Sequence, residues 1–370
     1  MTNRERFLAV LNYQEYDRLP VISFNFWKET VQAWYAQGRL TAEEGELLHD
    51  DCVTAHRLVS RRLGFDFDWD THFYAAALDP PFERTVVKTL PGGGRHVINQ
   101  YGAVELEIDG AYSIPQEVDY TLKDRGSWEE IYRRRLIFSP KRVEGALQAY
   151  RNRAAFDQPV IIYCGSLYGE IRNWLGLQGI SYLYYDDEAL FDEVVQTVCD
   201  LRYRMLEGAL NTGIRFDLAH FWEDICCKNG PLIAPSVFEE KIAHLYGRFT
   251  RLLKQHGIEL ISLDCDGCID KLIPGWLDHG INIMTPIEVG TWNASIEPWR
   301  AQYGKGIRGI GGMDKRVFSQ DYTAIDKEIE RLKPLVSLGG YLPMPDHMIP
   351  PDAKWENVQY YCEMMRKAFG

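Results

Sequence analysis

Residues 257–288, GIELISLDCDGCIDKLIPGWLDHGINIMTPIE, decide the fold. Gly257 ends a helix, and Glu259 to Cys265 has the length and apolar character of a short strand. Asp270 to His279 carries helical spacing closed by the breaker Gly280, and a second strand begins between Asn282 and Thr285. Within the first strand the period of two sets Ile261, Leu263 and Cys265 on one face, suited to packing helices. Ser262, Asp264 and Asp266 fall on the other. Gly267 follows at once, allowing a tight turn or the close approach of backbone to a ligand. Carboxylates leaving the C-terminal end of a parallel strand stand where α/β enzymes commonly place chemistry.

Working outward, Thr2 and Glu5 form a capping-box pattern, so residues 3–13 read as an opening helix with Phe7, Val10 and Leu11 inward, placed to close the bottom of a barrel. RLPVISFNFW (18–27) reads as the first strand, and a helix from a second box at Thr41 and Glu44 runs to Gly64. GFDFDWDTHF (64–73) alternates strictly and sets Asp66, Asp68, Asp70 and His72 on one side, which requires water or a cavity there. Residues 82–125, with β-branched runs flanking PGGG, read as a hairpin insertion. Strand starts near 20, 65, 159, 216, 258, 281, 307 and 335, nearly all alternating with helices, make eight. That is the signature of a single (β/α)8 barrel, here one domain over 1–370 with a β-hairpin insertion and an N-terminal helix. A doubly wound sheet is the alternative, but no GxGxxG follows any strand.

Composition narrows the partners. A net charge of −12 argues against nucleic acid or an anionic membrane surface, both of which need basic patches. The N-terminal stretch is charged and amphipathic, and no apolar run approaches the ~18 residues of a membrane span, so a cytoplasmic protein is expected. Eight cysteines without regular spacing read as reduced thiols. Cys265 and Cys268 form an isolated C-x-x-C with no second pair to complete a zinc ribbon, and the strand period turns Cys265 toward the helices.

Read strand by strand, the C-terminal rim offers Asn25 and Trp27, Asp70 and His72, Tyr163 and Ser166, Trp222 with Glu223 and Asp224, Asp264 with Asp266, Glu288, Asp314, and Asp346 with His347. It is acidic and aromatic. Any single carboxylate has an ordinary reading as a helix N-cap or an Arg partner. His347 sits in MPDHMIPPD, a proline-stiffened loop between the last strand and the last helix, which holds an imidazole better than a helix surface does.

WEDICCKNGPLIAPSVFEE, LDCDGCIDKLIPGWLDHGIN, GGMDKRVF and GGYLPMPDHMIPPDAKWENVQYY together resemble the superfamily of uroporphyrinogen decarboxylase and the cobalamin-dependent methyltransferases related to it. The resemblance implies a single (β/α)8 barrel. Two departures bear on function. The decarboxylases carry an Arg-rich R-Q-A-G-R segment after the first strand, whereas NFWKET (25–30) has no Arg to pair with the carboxylates of a tetrapyrrole. The methyltransferases place zinc on an H-x-C pair after the fifth strand and a Cys in the last loop, where Asp264, Asp266 and His347 stand here. Oxygen and nitrogen ligands can still hold zinc.

The resemblance therefore implies a methyltransferase that moves a methyl group from a small methoxy or methylamine-type substrate to a corrinoid (cobalamin) cofactor on a partner protein. Asp264, Asp266 and His347, helped by Glu223 or Asp224, are the candidates for holding a metal or a proton. Asn25, Trp27, Tyr163, Trp222, Asp70 and His72 are the candidates for substrate contact. A decarboxylase of a small carboxylic acid and a binding protein without chemistry are the alternatives, and a homodimer is admitted.

Overall fold

A computed structural model describes residues 1–44, 52–108, 115–151 and 157–370. The centre of the helix expected from Thr41 to Gly64 (residues 45–51) and part of the insertion (109–114) lie outside the described residues. At the start of that helix the reciprocal Thr41 and Glu44 hydrogen bonds are formed.

Six strands, β7 (Ile161–Gly165), β8 (Leu218–Trp222), β11 (Leu260–Asp264), β12 (Ile283–Ile287), β13 (Arg308–Met313) and β14 (Tyr341–Pro345), make one parallel sheet in the order β14-β13-β12-β11-β8-β7. Between β8 and β11 in the chain, β9 (Cys226–Cys227) and β10 (Gly230–Pro231) form a short antiparallel pair. A separate parallel pair joins β1 (Ile22–Ser23) to β2 (Phe67–Asp68). Isolated bridges link the two pieces at both sides, Phe26 to Ile349 and Phe73 to Ile162. They are carried by the Ile349 N–H to the Asn25 carbonyl and the Tyr163 N–H to the Phe73 carbonyl, both 3.0 Å.

The strands read as nearly continuous apolar runs because both faces are covered, as parallel strands require. Ile261, Leu263 and Cys265 pack outward into the large core shared with the helices. On the other face a second core collects one residue from each of eight strands: Ile22, Phe67, Ile161, Leu218, Leu260, Ile283, Ile310 and Leu342. Phe7, Val10 and Leu11 of the helix Asn3–Leu11 complete it, and the Thr2–Glu5 capping box starts that helix as expected. Arg4 ties the helix down through two bonds to Asp217, at 2.8 and 2.7 Å, and the Gly340 N–H reaches the Val10 carbonyl at 3.2 Å. Phe7 is wholly buried, which stabilises the fold by roughly 1.5–3 kcal/mol.

Several expectations are corrected. The inward residues of the second strand are Phe67 and Trp69, not the acidic set. Asp66 is held by Arg18 and Arg366, and Asp68 accepts from Ser60. An alternating strand cannot say which of its faces is inside when both carry large groups, and Phe and Trp win the interior because they bury more apolar area. The insertion is not one hairpin but a four-stranded antiparallel sheet of β3 (Thr85–Thr89), β4 (Arg95–Ile98), β5 (Ala103–Glu107) and β6 (Gln116–Tyr120). QEVDY (116–120) is too polar to announce itself as a strand; it pairs along β5 with its side chains largely exposed. The strand expected at 335–342 begins only at Tyr341, because Leu335, Val336 and Leu338 belong to the end of the helix Tyr322–Ser337 and its cap. Among the described residues no helix is long and apolar enough to cross a membrane.

Candidate functional site

The C-terminal ends of β8 and β11 lie side by side, with Trp222 in register with Asp264. Beyond them the chain turns through Asp224, a non-glycine residue held at φ 47°, and the Asp266 N–H donates to the Asp224 carboxylate at 3.0 Å. A backbone in this sparsely populated conformation is held only where its surroundings enforce it. The result is a cluster in which Asp224, Asp264 and Asp266 each offer an oxygen, all within 4.8 Å of one another. Burial, then the charge of Asp266, pushes Asp224 up to about 7. Burial, then Asp224, raises Asp264 well above the usual carboxylate range. Glu288 is shifted upward by burial and by Asp266, while accepting from the Gly267 N–H at 2.5 Å and the Thr291 hydroxyl at 2.7 Å. The charge of Arg172 opposes the rise at Asp224 without outweighing it.

His347 borders the cluster. Its Nε2 lies 3.3 Å from Asp266 Oδ2. The ring is stacked on Trp27 at 5.7 Å and 26°, with Phe24 edge-on at 5.5 Å, so two aromatic residues from the segment after β1 fix an imidazole on the last loop.

Next to the cluster is a cavity of about 460 Å³ lined by Thr71, Tyr74, Tyr101, Tyr163, Glu170, Asn173, His220 and Trp222. Tyr101 comes from the insertion, between β4 and β5, which places that sheet beside the cavity mouth. His220 is buried inside β8, with Nδ1 2.8 Å from the Ser262 hydroxyl and Nε2 3.9 Å from Asp264. Burial lowers its pKa to about 3, so the ring is neutral. Glu170 is gripped by Arg202 through contacts of 2.8, 2.8 and 3.2 Å, and Arg202 in turn lies 5.5 Å from the centre of the Tyr163 ring.

The structure thus brings Asp224, Asp264, Asp266 and His347 together, with Trp27 behind the imidazole and with Tyr163 and Trp222 in the cavity wall. It does not bring the others. Glu223 turns away from the cluster and accepts from Ser166, Tyr246 and the N–H groups of Leu167, Tyr168 and Gly169, at 2.5–3.0 Å. Those amides precede and open the helix Gly169–Asp186, whose first donors have no partners within the helix. Asp70 pairs with Arg57 at 3.0 Å. His72 is buried beside β7, where its ring receives the Ile161 N–H at 3.2 Å and meets Gln158 at 2.8 Å. Asn25 spends its backbone carbonyl on Ile349 and sits at φ 71°, serving the turn rather than the cavity. Asp314 is bound by Arg316, and buried Asp346 accepts from the Gly290 N–H at 2.6 Å. Gly267 is pressed against the backbone of Cys226 and Cys227, where an added Cβ would lie 2.7 Å from the Cys227 nitrogen.

His220, Glu170, Arg202, Tyr74 and Tyr101 were not singled out from sequence. The period of two counted back from Trp222 could have found His220. Glu170 and Arg202 sit on different helices, 32 positions apart, and give no local signal.

No protein-family model matches this chain, and neither does any curated protein. Among solved structures it is similar to a methyltransferase from Methanosarcina mazei, with a TM-score of 0.61 and 15 % identity over 99 % of this chain and 98 % of that one. Weaker similarity extends to a B12-independent methionine synthase from Shewanella sp. W3-18-1 in complex with selenomethionine (TM-score 0.49, 11 % identity, 95 % and 98 % covered). It also extends to a putative vitamin-B12 independent methionine synthase from Listeria monocytogenes (0.44, 13 %, 95 % and 97 %). Only the first of these likenesses is strong enough to argue from. At such identity it speaks for the fold alone, and the chain shares that fold with the Methanosarcina methyltransferase.

Proposed function

We propose that the protein is a methyltransferase that takes a methyl group from a small methylated substrate and passes it to a corrinoid carried by a partner protein. The observation that carries this reading is an aromatic-walled cavity whose lining residue His220 lies 3.9 Å from Asp264, the nearest member of a cluster of three carboxylates with an adjoining imidazole, at the C-terminal ends of parallel strands. The chain is read as one domain, a (β/α)8 barrel. The floor built from eight strands and the two bridging contacts support closure, and the reacting end is then the one opposite the N-terminal helix.

The donor set fits a divalent cation. Asp224, Asp264 and Asp266 supply hard oxygen ligands at short mutual distance, and His347 can add a nitrogen. Such an ion would polarise the heteroatom that carries the methyl group. The protein's own groups do the rest. Tyr163 and Trp222 wall the substrate, and Trp27 and Phe24 keep the His347 ring in one orientation. Tyr74 and Tyr101 are 49 % and 36 % exposed, so the cavity opens to solvent and a cofactor borne by another protein can approach it.

An acid substrate is less well served. The described lining residues include no Arg or Lys, and Arg202 behind them is committed to Glu170. The test is a panel of methoxy and methylammonium donors, with a reduced corrinoid protein as acceptor, followed by the absorbance of the corrinoid. Absence of methylation across the panel, together with release of carbon dioxide from a small acid, would sink the reading in favour of decarboxylation.

A further inference from the structure

Tyr74, Tyr101, Tyr163 and Trp222 make up half of the cavity's eight described lining residues, and the Tyr74 and Tyr163 rings stack at 5.0 Å and 28°. Aromatic faces present negative charge to a ligand and attract cations that have lost their water. The titratable groups facing the cavity point the same way. Glu170 and Arg202 form a pair whose carboxylate is the member lining the cavity. Asp264, 3.9 Å behind His220, opens the acidic cluster.

We infer that this cavity binds a small quaternary ammonium group, and that the methylated centre of the substrate is nitrogen rather than a methoxy oxygen. A quaternary nitrogen has no N–H to satisfy, so what holds it is ring faces and a nearby carboxylate, which Tyr74, Tyr101, Tyr163, Trp222 and Glu170 supply. The second half of the inference rests on the methyl-transfer reading. In that step the nitrogen–carbon bond breaks with its electron pair remaining on nitrogen, which leaves as a neutral tertiary amine. The carbon forms its new bond to the reduced corrinoid of the partner, and because a quaternary nitrogen has no lone pair to offer a metal and leaves without a proton, this step draws on neither a divalent ion nor an acid.

The test is binding, which needs no turnover. Choline and 3,3-dimethylbutan-1-ol, its uncharged carbon counterpart of the same shape, are titrated into the full-length protein and followed by calorimetry and by tryptophan fluorescence. Choline is expected to saturate and to bind at least tenfold more tightly than the alcohol. Trp222→Leu and, separately, Tyr101→Leu on the insertion are expected to weaken choline severalfold while changing the alcohol little. Two variants on different elements guard against the misfolding of either. Equal affinity for the two compounds, or no saturable choline binding, overturns the inference. Loss of choline selectivity in neither variant places the ligand elsewhere and overturns it too. Choline binding without methylation of any corrinoid protein would instead sink the proposed reaction and leave the ammonium site standing.

Discussion

Glu223→Ala tests the claim that this buried carboxylate belongs to the scaffold and not to the chemistry. Its side chain is wholly enclosed and accepts from five donors: the N–H groups of Leu167, Tyr168 and Gly169 and the hydroxyls of Ser166 and Tyr246. Truncation strands all five. A buried donor without a partner costs roughly 1–3 kcal/mol, and water entering the vacated space recovers part of the sum, so a net loss of about 4–6 kcal/mol is expected. Against a total stability of about 5–15 kcal/mol that is a large fraction. Glu223→Gln keeps the shape but turns one acceptor into a donor facing other donors, and should fall between the variant and the parent. Urea unfolding at constant pH measures both. A loss under about 1 kcal/mol for Glu223→Ala, with activity abolished, would refute the reasoning and return Glu223 to the list of reacting groups.

Gly169→Ala should be as damaging as the loss of Glu223, because an added Cβ would lie 1.8 Å from the Glu223 carbonyl oxygen, and backbone cannot step aside; unfolding midpoints check it. Asp266→Ala should abolish turnover with little change in stability, since the residue makes no packing contribution at the rim; a matched loss of several kcal/mol would mark it as structural. Asp224 holds its proton more tightly folded than unfolded, so its contribution is present below the unfolded value near 4 and lost as pH rises through about 7. In chelator, Asp224→Asn should therefore remove a loss on the order of 3 kcal/mol between pH 4 and 8, and an unchanged pH profile in urea unfolding would contradict it. Zinc or manganese should raise the thermal midpoint of the parent and not of Asp264→Asn, and a chelator should reverse the gain; retention of the shift in the variant would rule out the cluster as the site.

The acidic cluster was legible because two independent periodicities converge on it. Alternation in Leu260–Asp264 fixes which side chains point inward, and the strand–helix rhythm says which end of each strand reacts. Asp264, Asp266 and His347 follow from that, although the loop carrying His347 is remote in sequence. The errors share one cause. Asp70, His72 and Glu223 were assigned by position along a strand, yet their fates were settled by partners that no local pattern reveals: Arg57, Gln158, and the opening of a helix more than 50 residues earlier. Tyr101 could not be placed either, because the orientation of an inserted sheet depends on what its edges and faces meet in three dimensions. Of the aromatic wall, the feature that most narrows the ligand, Tyr163 and Trp222 were therefore legible at strand ends, while Tyr74 and Tyr101 came from the structure.

The floor beneath the strands has a consequence for how the chain reaches its final state. Helix Asn3–Leu11 precedes all eight of these strands along the chain, but the surface it covers includes Leu342 and Met344 of β14. It must wait, with Phe7, Val10 and Leu11 unsheltered, until β14 has been made and has found its neighbour. Contacts of such high sequence separation form late and slow the reaction, and apolar residues left waiting are those on which self-association and chaperones act. This helix is thus a closing piece, and its arrival, more than the pairing of any two adjacent strands, sets when the newborn chain becomes safe from aggregation.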